Sequence, residues 1–275
     1  SENCGLKYYL WLQNNNHLIA KKSEELSFTL KQINEGKIPV FKYVENRWKY
    51  INGWECCDNK CVNTNNPNGL CSKENGFIQI KSRTEIEYIN CMENGYNIHV
   101  RIESDNYFTK PTDGLINTFT LYYYEVKLIF EENEGLSIGL INGNNYIRLS
   151  PNYKSIYYSF QNNLKCINLP SFTYKTNDII GCGLVYPPPN NILFPYIFFT
   201  QNGTQIGKAI LLKDNYESFR PYVKLFCCSI EANFGDNSFI YNFYMGSMLE
   251  DHHTTEYYKI HDGAIINRII RMLGC

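Results

Sequence analysis

After Gly76 the chain becomes a succession of short apolar runs, each cut off by turn residues. They are Phe77–Ile80, Ile86–Ile89, Tyr96–Ile102, Leu121–Phe130, Leu136–Leu140, Ile156–Phe160, Ile179–Val185, Ile197–Thr200, Tyr222–Cys228, Ile230–Phe234 and Phe239–Phe243. No convincing helix pattern intervenes. Many short strands at this spacing pack as a sandwich or a barrel. An aromatic content of 15% favours strands in the same direction. No internal repeat is visible, so propellers and solenoids are not first choices.

The flanks read differently. Leu26, Leu30 and Ile33 recur at helical spacing until Gly36 and Pro39 stop them. Val40 to Ile51 is aromatic and partly alternating, and reads as one strand or a hairpin bent at Glu45-Asn46. From Gly53 to Gly76 the composition turns to Cys, Asn, Gly and Pro, as in a loop or a tied-down knot. At the other end Ile265, Ile266, Ile269, Ile270 and Leu273 share one helical face, packed on the domain or offered to a partner. The expected organisation is an extension over 1–74, a two-sheet antiparallel sandwich over 75–244, and a tail over 245–275, with short helices at the termini.

The net charge is −1, from 26 basic and 27 acidic residues without long runs. No basic field draws in nucleic acid or an anionic membrane, so neither is an expected partner. No stretch of apolar residues is long enough to span a bilayer as a helix. The chain begins at Ser1 rather than Met, as a trimmed, processed or partial chain would. Eleven cysteines are many but odd in number, so a fully paired secreted scaffold would leave one over. The sequon at Asn202-Gly203-Thr204 lies on a hairpin turn with its own structural reason for Asn-Gly. We read the cysteines as reduced and the compartment as cytoplasmic, with secretion as the alternative. Cys56, Cys57, Cys61 and Cys71 bring four thiols within sixteen residues, chemistry that suits zinc. The second close pair of a structural zinc site is missing, so zinc, disulfides and packed thiols all stay open. No metal or cofactor is assigned.

Four segments carry a resemblance, in order along the chain. The first is Tyr122-Tyr123-Tyr124-Glu125-Val126-Lys127, followed by Ile138-Gly139-Leu140. The second is Asn177-Asp178-Ile179-Ile180-Gly181-Cys182-Gly183. Third comes Ile197-Phe198-Phe199-Thr200-Gln201-Asn202-Gly203-Thr204-Gln205-Ile206-Gly207. The last is Phe219-Arg220-Pro221-Tyr222-Val223 with Glu231-Ala232-Asn233-Phe234-Gly235. Together they resemble the B30.2/SPRY family, in the flavour of Ran-binding-protein-like SPRY domains. The resemblance implies a concanavalin-like jelly-roll sandwich that binds a protein through loops at one edge. Departures are Asn177 where the family has Gly, an insert over Tyr186–Tyr196, and a poorly matching stretch from Asn142 to Asn163.

The same residues make physical sense unnamed. Asn202-Gly203 supplies the positive-φ positions of a type I′ turn. Gly181 and Gly183 leave room for a close neighbour on either side of Cys182. Cys227 and Cys228 are adjacent in a strand, so alternation sends one inward and one outward as two thiols. Asn233-Phe234-Gly235 pins a Phe in the core and ends a strand.

Catalytic patterns are not found. Glu125, Glu131 and Glu132 lack the alternation a glycosidase carboxylate pair needs. Of the histidines, His17, His99, His252, His253 and His261, only His99 lies in a strand pattern, and there it reads as structural. No nucleophile elbow, P-loop or dinucleotide fingerprint occurs. The reading is therefore a monomeric, non-enzymatic adaptor holding a peptide or protein. Its loops would be Asp105–Thr118, Asn142–Tyr157, Tyr186–Tyr196 and Lys213–Arg220. Tyr107, Phe108, Lys110, Tyr146, Arg148, Tyr153 and Tyr157 are the first candidates; Tyr186, Phe194, Tyr216 and Arg220 are further ones, all of types that anchor interfaces. A carbohydrate-binding sandwich and a secreted effector acting on a host protein are the alternatives.

Overall fold

The computed structural model describes residues 39–52, 71–112, 119–188, 194–212 and 216–241. Within them lie fourteen strands: β1 (Val40–Phe41), β2 (Trp48–Asn52), β3 (Phe77–Ile80), β4 (Glu85–Ile89), β5 (Val100–Ser104), β6 (Phe108–Thr109), β7 (Thr120–Asn142), β8 (Asn145–Ser150), β9 (Ser155–Phe160), β10 (Asn163–Asn168), β11 (Ile179–Tyr186), β12 (Tyr196–Gln201), β13 (Thr204–Leu211) and β14 (Ser218–Asn233). A single 3-10 turn, Pro151–Tyr153, is the helical element among the described residues.

The frame is the long antiparallel pair β7–β14. It runs from Asn233↔Glu125 to Cys228↔Phe130, then resumes at Phe226↔Gly135 and ends at Arg220↔Ile141. Residues 131–134 thus stand opposite the single Cys227, whose φ is +55°. Such a bulge bends a ladder sharply. The two halves of the pair consequently belong to opposing sheets. The first half of β7 carries β11, β12 and β13 on its side, with β4 and β3 beyond β14. The second half carries β8, β9 and β10, with β5 and β2 beyond β14. Tyr124 shows that the halves face each other. From the first it donates its hydroxyl to Gly139 O (2.6 Å) and Tyr222 O (3.1 Å) in the second. The fold is an all-β jelly-roll sandwich; β1, parallel to the start of β7, is the exception to its antiparallel pairing.

The Tyr run of β7 is explained by burial on both faces. Tyr122, Tyr124, Val126 and Leu128 point between the sheets, with Trp48, Phe108, Tyr186 and Phe234. Leu121 and Tyr123 point to the outside, where Phe41, Val185 and Phe198 bury them beneath Phe239 and Tyr241. Between the sheets the aromatic packing is tight: Phe108 stacks on Tyr122 with ring centres 5.0 Å apart, and Trp48 meets Phe234 edge-on at 5.1 Å.

Several expectations are met in detail. Asn202 (φ +48°) and Gly203 (φ +80°) form the turn between β12 and β13. A side chain at Gly181 would run into Tyr123 and Thr200, and one at Gly183 into the Phe198 ring. Phe234 is buried where β14 ends. Other expectations need correction. The runs Leu121–Phe130 and Leu136–Leu140 are one bent strand, and so are Tyr222–Cys228 and Ile230–Phe234, because the bulge bends the ladder instead of breaking it. β8, β10 and β13 are too polar to have been marked as apolar runs. The described part of Phe239–Phe243 is no strand. The bulge also disturbs the Cys227-Cys228 alternation: Cys228 is buried and donates to Gly135 O, while Cys227, only half-buried, still packs against the same core. Val40–Ile51 forms two strands that pair with β7 and β5 and not with each other. Residues 40–52 of the extension therefore add to the sandwich. The terminal helices and Cys56, Cys57 and Cys61 lie outside the described residues; Cys71 is buried.

Candidate functional site

Alternation decides which side chains leave the core. On the sheet built from β2, β5, β14, β7, β8, β9 and β10, the inward set is Val100, Ile102, Val223, Leu225, Leu136, Ile138, Leu140, Ile147, Leu149 and Ile156. The outward set follows from register. Arg101 pairs with Lys224, and Lys224 with Ser137. Glu103 pairs with Tyr222, Tyr222 with Gly139, Gly139 with Arg148, and Arg148 with Tyr157. Arg220 pairs with Ile141, and Ile141 with Tyr146. One outer face thus gathers cations and tyrosines from strands far apart in sequence.

Two adjoining depressions lie on this face. One, of about 280 Å³, is lined by Gly135, Ser137, Ser150, Asn152, Tyr153 and Tyr157. The other, of about 630 Å³, is lined by Asn52, Arg101, Ile141, Tyr146 and Tyr222. His99, Arg148 and Lys224 line both and join them into a groove. Gly135 helps form its floor. A side chain at Gly135 would press on Asn152 and Phe226.

The Arg148 guanidinium lies between two rings, 5.2 Å from the centre of Tyr146 and 5.6 Å from that of Tyr157. Tyr153 meets Tyr157 edge-on at 6.2 Å and is itself 67% exposed. A second clamp stands beside the groove. Arg220 sits 4.1 Å over Tyr107 and 4.5 Å over Tyr50, and its Nη1 donates to Glu103 Oε2 at 3.3 Å. The His99 and Phe226 rings pack at a tilt of 36° with centres 4.6 Å apart. Burial, then Lys224 and Arg148, hold the His99 imidazole below its ordinary pKa of 6.5. Lys224 is likewise pushed down, first by burial and then by Arg148 and Arg101. Ser137 and Ser150 hydrogen-bond each other at 2.8 Å.

No family model matches the sequence, and no curated protein does. Solved structures with a similar outline exist. A human SPRY domain is 16% identical with a TM-score of 0.39, over 58% of this chain and 97% of its own. Lectin UEA-II complexed with galactose is 8% identical with a TM-score of 0.35, over 58% and 91%. The metal-free carbohydrate recognition domain of Emp46p is 12% identical with a TM-score of 0.34, over 59% and 87%. Likeness at this level says nothing about what the groove holds.

The sequence candidates divide. Tyr146, Arg148, Tyr153 and Tyr157 come together in the groove, and Tyr107 and Arg220 form the clamp next to it. Tyr146, Arg148 and Tyr157 are strand residues, so the expected loop Asn142–Tyr157 is largely two strands around a 3-10 turn. Phe108 and Tyr186 were expected at the surface but are core residues, 3% and 0% exposed, because each packs against Tyr122. Tyr216 is half-buried against Phe160 and Phe219. Lys110 is half-buried, with its backbone N–H on Glu217 O, and Phe194 is exposed away from the groove lining. His99, Arg101, Lys224, Tyr222 and Tyr50 were missed. Their signal was alternation: outward Arg101 and Glu103 in β5, and outward Arg220, Tyr222 and Lys224 in β14.

Proposed function

We propose that this protein is a non-enzymatic binding module of SPRY type that holds a peptide segment of a protein partner in the groove of its outer sheet face. The supporting observation is the groove itself, in which exposed Tyr153 on the 3-10 turn stands beside half-exposed Tyr157 and the ring-flanked Arg148 on the sheet. Tyr and Arg anchors of this kind dominate interface energetics, and a sheet holds them at little ordering cost. Affinity capture with the wild-type chain and with Y153A/Y157A tests the reading. The double variant is expected to lose the specific partners while keeping its fold; unchanged capture would place the binding surface elsewhere. A second reading is carbohydrate binding, favoured by the exposed Tyr153 ring beside Asn152, Ser137 and Ser150. Specific binding on a glycan array, with no peptide partner captured, would select it.

A further inference from the structure

We infer that the groove selects an acidic partner: an extended, Asp- or Glu-bearing peptide segment whose carboxylates are taken by Arg148, Lys224 and Arg101. This rests on the partner-binding reading above and adds to it the chemistry of the partner.

The cations of this face outnumber its counter-charge: Arg101, Arg148, Arg220 and Lys224 share the single carboxylate of Glu103. No Asp or Glu is among the residues that line the two depressions. The acid nearest in register, Glu103, is already committed: it meets Arg101 Nε at 3.2 Å and Arg220 Nη1 at 3.3 Å, and accepts from Asn52 at 2.8 Å. Arg148 and Lys224 have no carboxylate partner among the described residues. Arg148 Nε is shielded from solvent and makes no hydrogen bond, an arrangement that costs free energy until an acceptor arrives. Crowding points the same way: burial holds Lys224 and His99 below their ordinary pKa, and neighbouring cations lower both further. An anion in the groove relieves each of these tensions at once.

Geometry favours a peptide over a single compact anion. Arg101, Lys224 and Arg148 stand on β5, β14 and β8, with β7 between the last two. Three strand spacings of about 4.8 Å across the sheet, with Arg148 two residues further along opposite Gly139, put the outer pair about 16 Å apart. An extended chain covers that distance in about five residues, with alternate side chains about 7 Å apart. Two carboxylates on one side of such a segment therefore reach both ends of the cationic row. Between them the segment meets Tyr146, Tyr157 and Tyr222. The planar guanidinium of Arg148, fixed between its two rings, is suited to bidentate carboxylate contact.

The test uses the full chain and fluorescence anisotropy with a labelled Glu-Gly repeat peptide, a matched Gln-Gly peptide and a heparin-derived oligosaccharide. The Glu peptide should bind at least about tenfold tighter than the Gln peptide, and R148Q/K224Q should cost about tenfold or more, both gaps narrowing as salt rises. Circular dichroism of R148Q/K224Q checks that the sheet is intact. No binding of the Glu peptide, equal binding of the Gln peptide, indifference to R148Q/K224Q, or tighter binding of the oligosaccharide overturns the inference. Partner capture separates the two levels of the argument. If Y153A/Y157A abolishes capture and R148Q/K224Q leaves it unchanged, the acidic chemistry falls while the partner-binding groove stands.

Discussion

Glu125 offers the sharpest quantitative test of how the sandwich is held together. It is 3% exposed and has no cation paired with it among the described residues. Instead its carboxylate accepts from Tyr123 Oη (3.0 Å) and from the backbone N–H groups of Tyr241 (3.0 Å) and Ile240 (3.1 Å). Tyr123 Oη in turn shares a 2.6 Å hydrogen bond with Thr200 Oγ1. A buried carboxylate on β7 thus latches the segment after β14 over the outer apolar cluster. Changing Glu125 to Gln keeps the shape but removes the charge and turns one acceptor into a donor. One charge-assisted bond is lost and two fall to neutral strength, against which the amide escapes the carboxylate's desolvation cost. The net loss should be about 2 kcal/mol.

That loss has a ceiling. The segment is also held by four ring contacts, Phe239 on Phe41 and Tyr123, and Tyr241 on Tyr123 and Phe198. At about 0.5–1.5 kcal/mol each they contribute a few kcal/mol, and beyond that the segment lifts off on its own. Urea denaturation of E125Q should show the lower stability, and hydrogen exchange at Ile240 and Tyr241 should quicken by about thirtyfold. If E125Q lies within about 0.5 kcal/mol of wild type and those two amides keep their protection, the latch does not exist.

Three further outcomes follow from particular contacts. Gly183→Ala drives a methyl into the Phe198 ring and should cost about 1–3 kcal/mol in urea melts, whereas a melt unchanged from wild type would mean that the two strands can part freely. For Asp178, burial alone would raise the pKa, but hydrogen bonds from Asn202, the Lys175 N–H and Gln201 outweigh it and hold the carboxyl below its usual 3.8. Its contribution to stability is therefore present above pH 4 and lost as pH falls through the lower folded value, so D178N should flatten the acid limb of the stability curve. His99, lowered by burial and by Lys224 and Arg148, gains protons more readily beside a bound anion; affinity for the Glu-Gly peptide should rise as pH drops below about 6.5, and H99Q, packed against the same Phe226 ring, should remove that rise.

Where a local pattern dictates structure, the sequence was readable. Asn202-Gly203 had to be a type I′ turn, and Gly181 and Gly183 had to admit a neighbour, because each depends on residues within one hairpin or strand pair. Phe108 and Tyr186 went wrong for the opposite reason. Their burial is decided by Tyr122 on another strand, and no pattern within 105–118 or 186–196 reports it. The bulge at Cys227 was invisible too. It depends on Phe130 and Gly135 pairing with Cys228 and Phe226 almost a hundred residues on, and it is what turns two pairs of apparent strands into one frame shared by both sheets. Glu125 was legible as a strand residue but not as a latch, since its partners Ile240 and Tyr241 lie far away in sequence.

The groove shows the same division, with a consequence for kinetics. Asn145–Ser150 alternates outward Tyr146 and Arg148 with inward Ile147 and Leu149, so half of the site was present in a pattern read as loop. The other half stands on β5 and β14, and only the register Arg101↔Lys224 brings it alongside. The net charge of −1 argues against a basic field, but net charge governs the far field and not the content of one face. With little long-range attraction, an acidic partner arrives at an ordinary encounter rate and is retained by short-range contacts to Arg148 and Lys224. R148Q/K224Q should therefore speed dissociation of the Glu-Gly peptide about tenfold while changing association by less than about threefold, as read by stopped-flow anisotropy. A variant that slowed association and left dissociation alone would show that the face acts at a distance, and the contact geometry argued for Arg148 would lose its support.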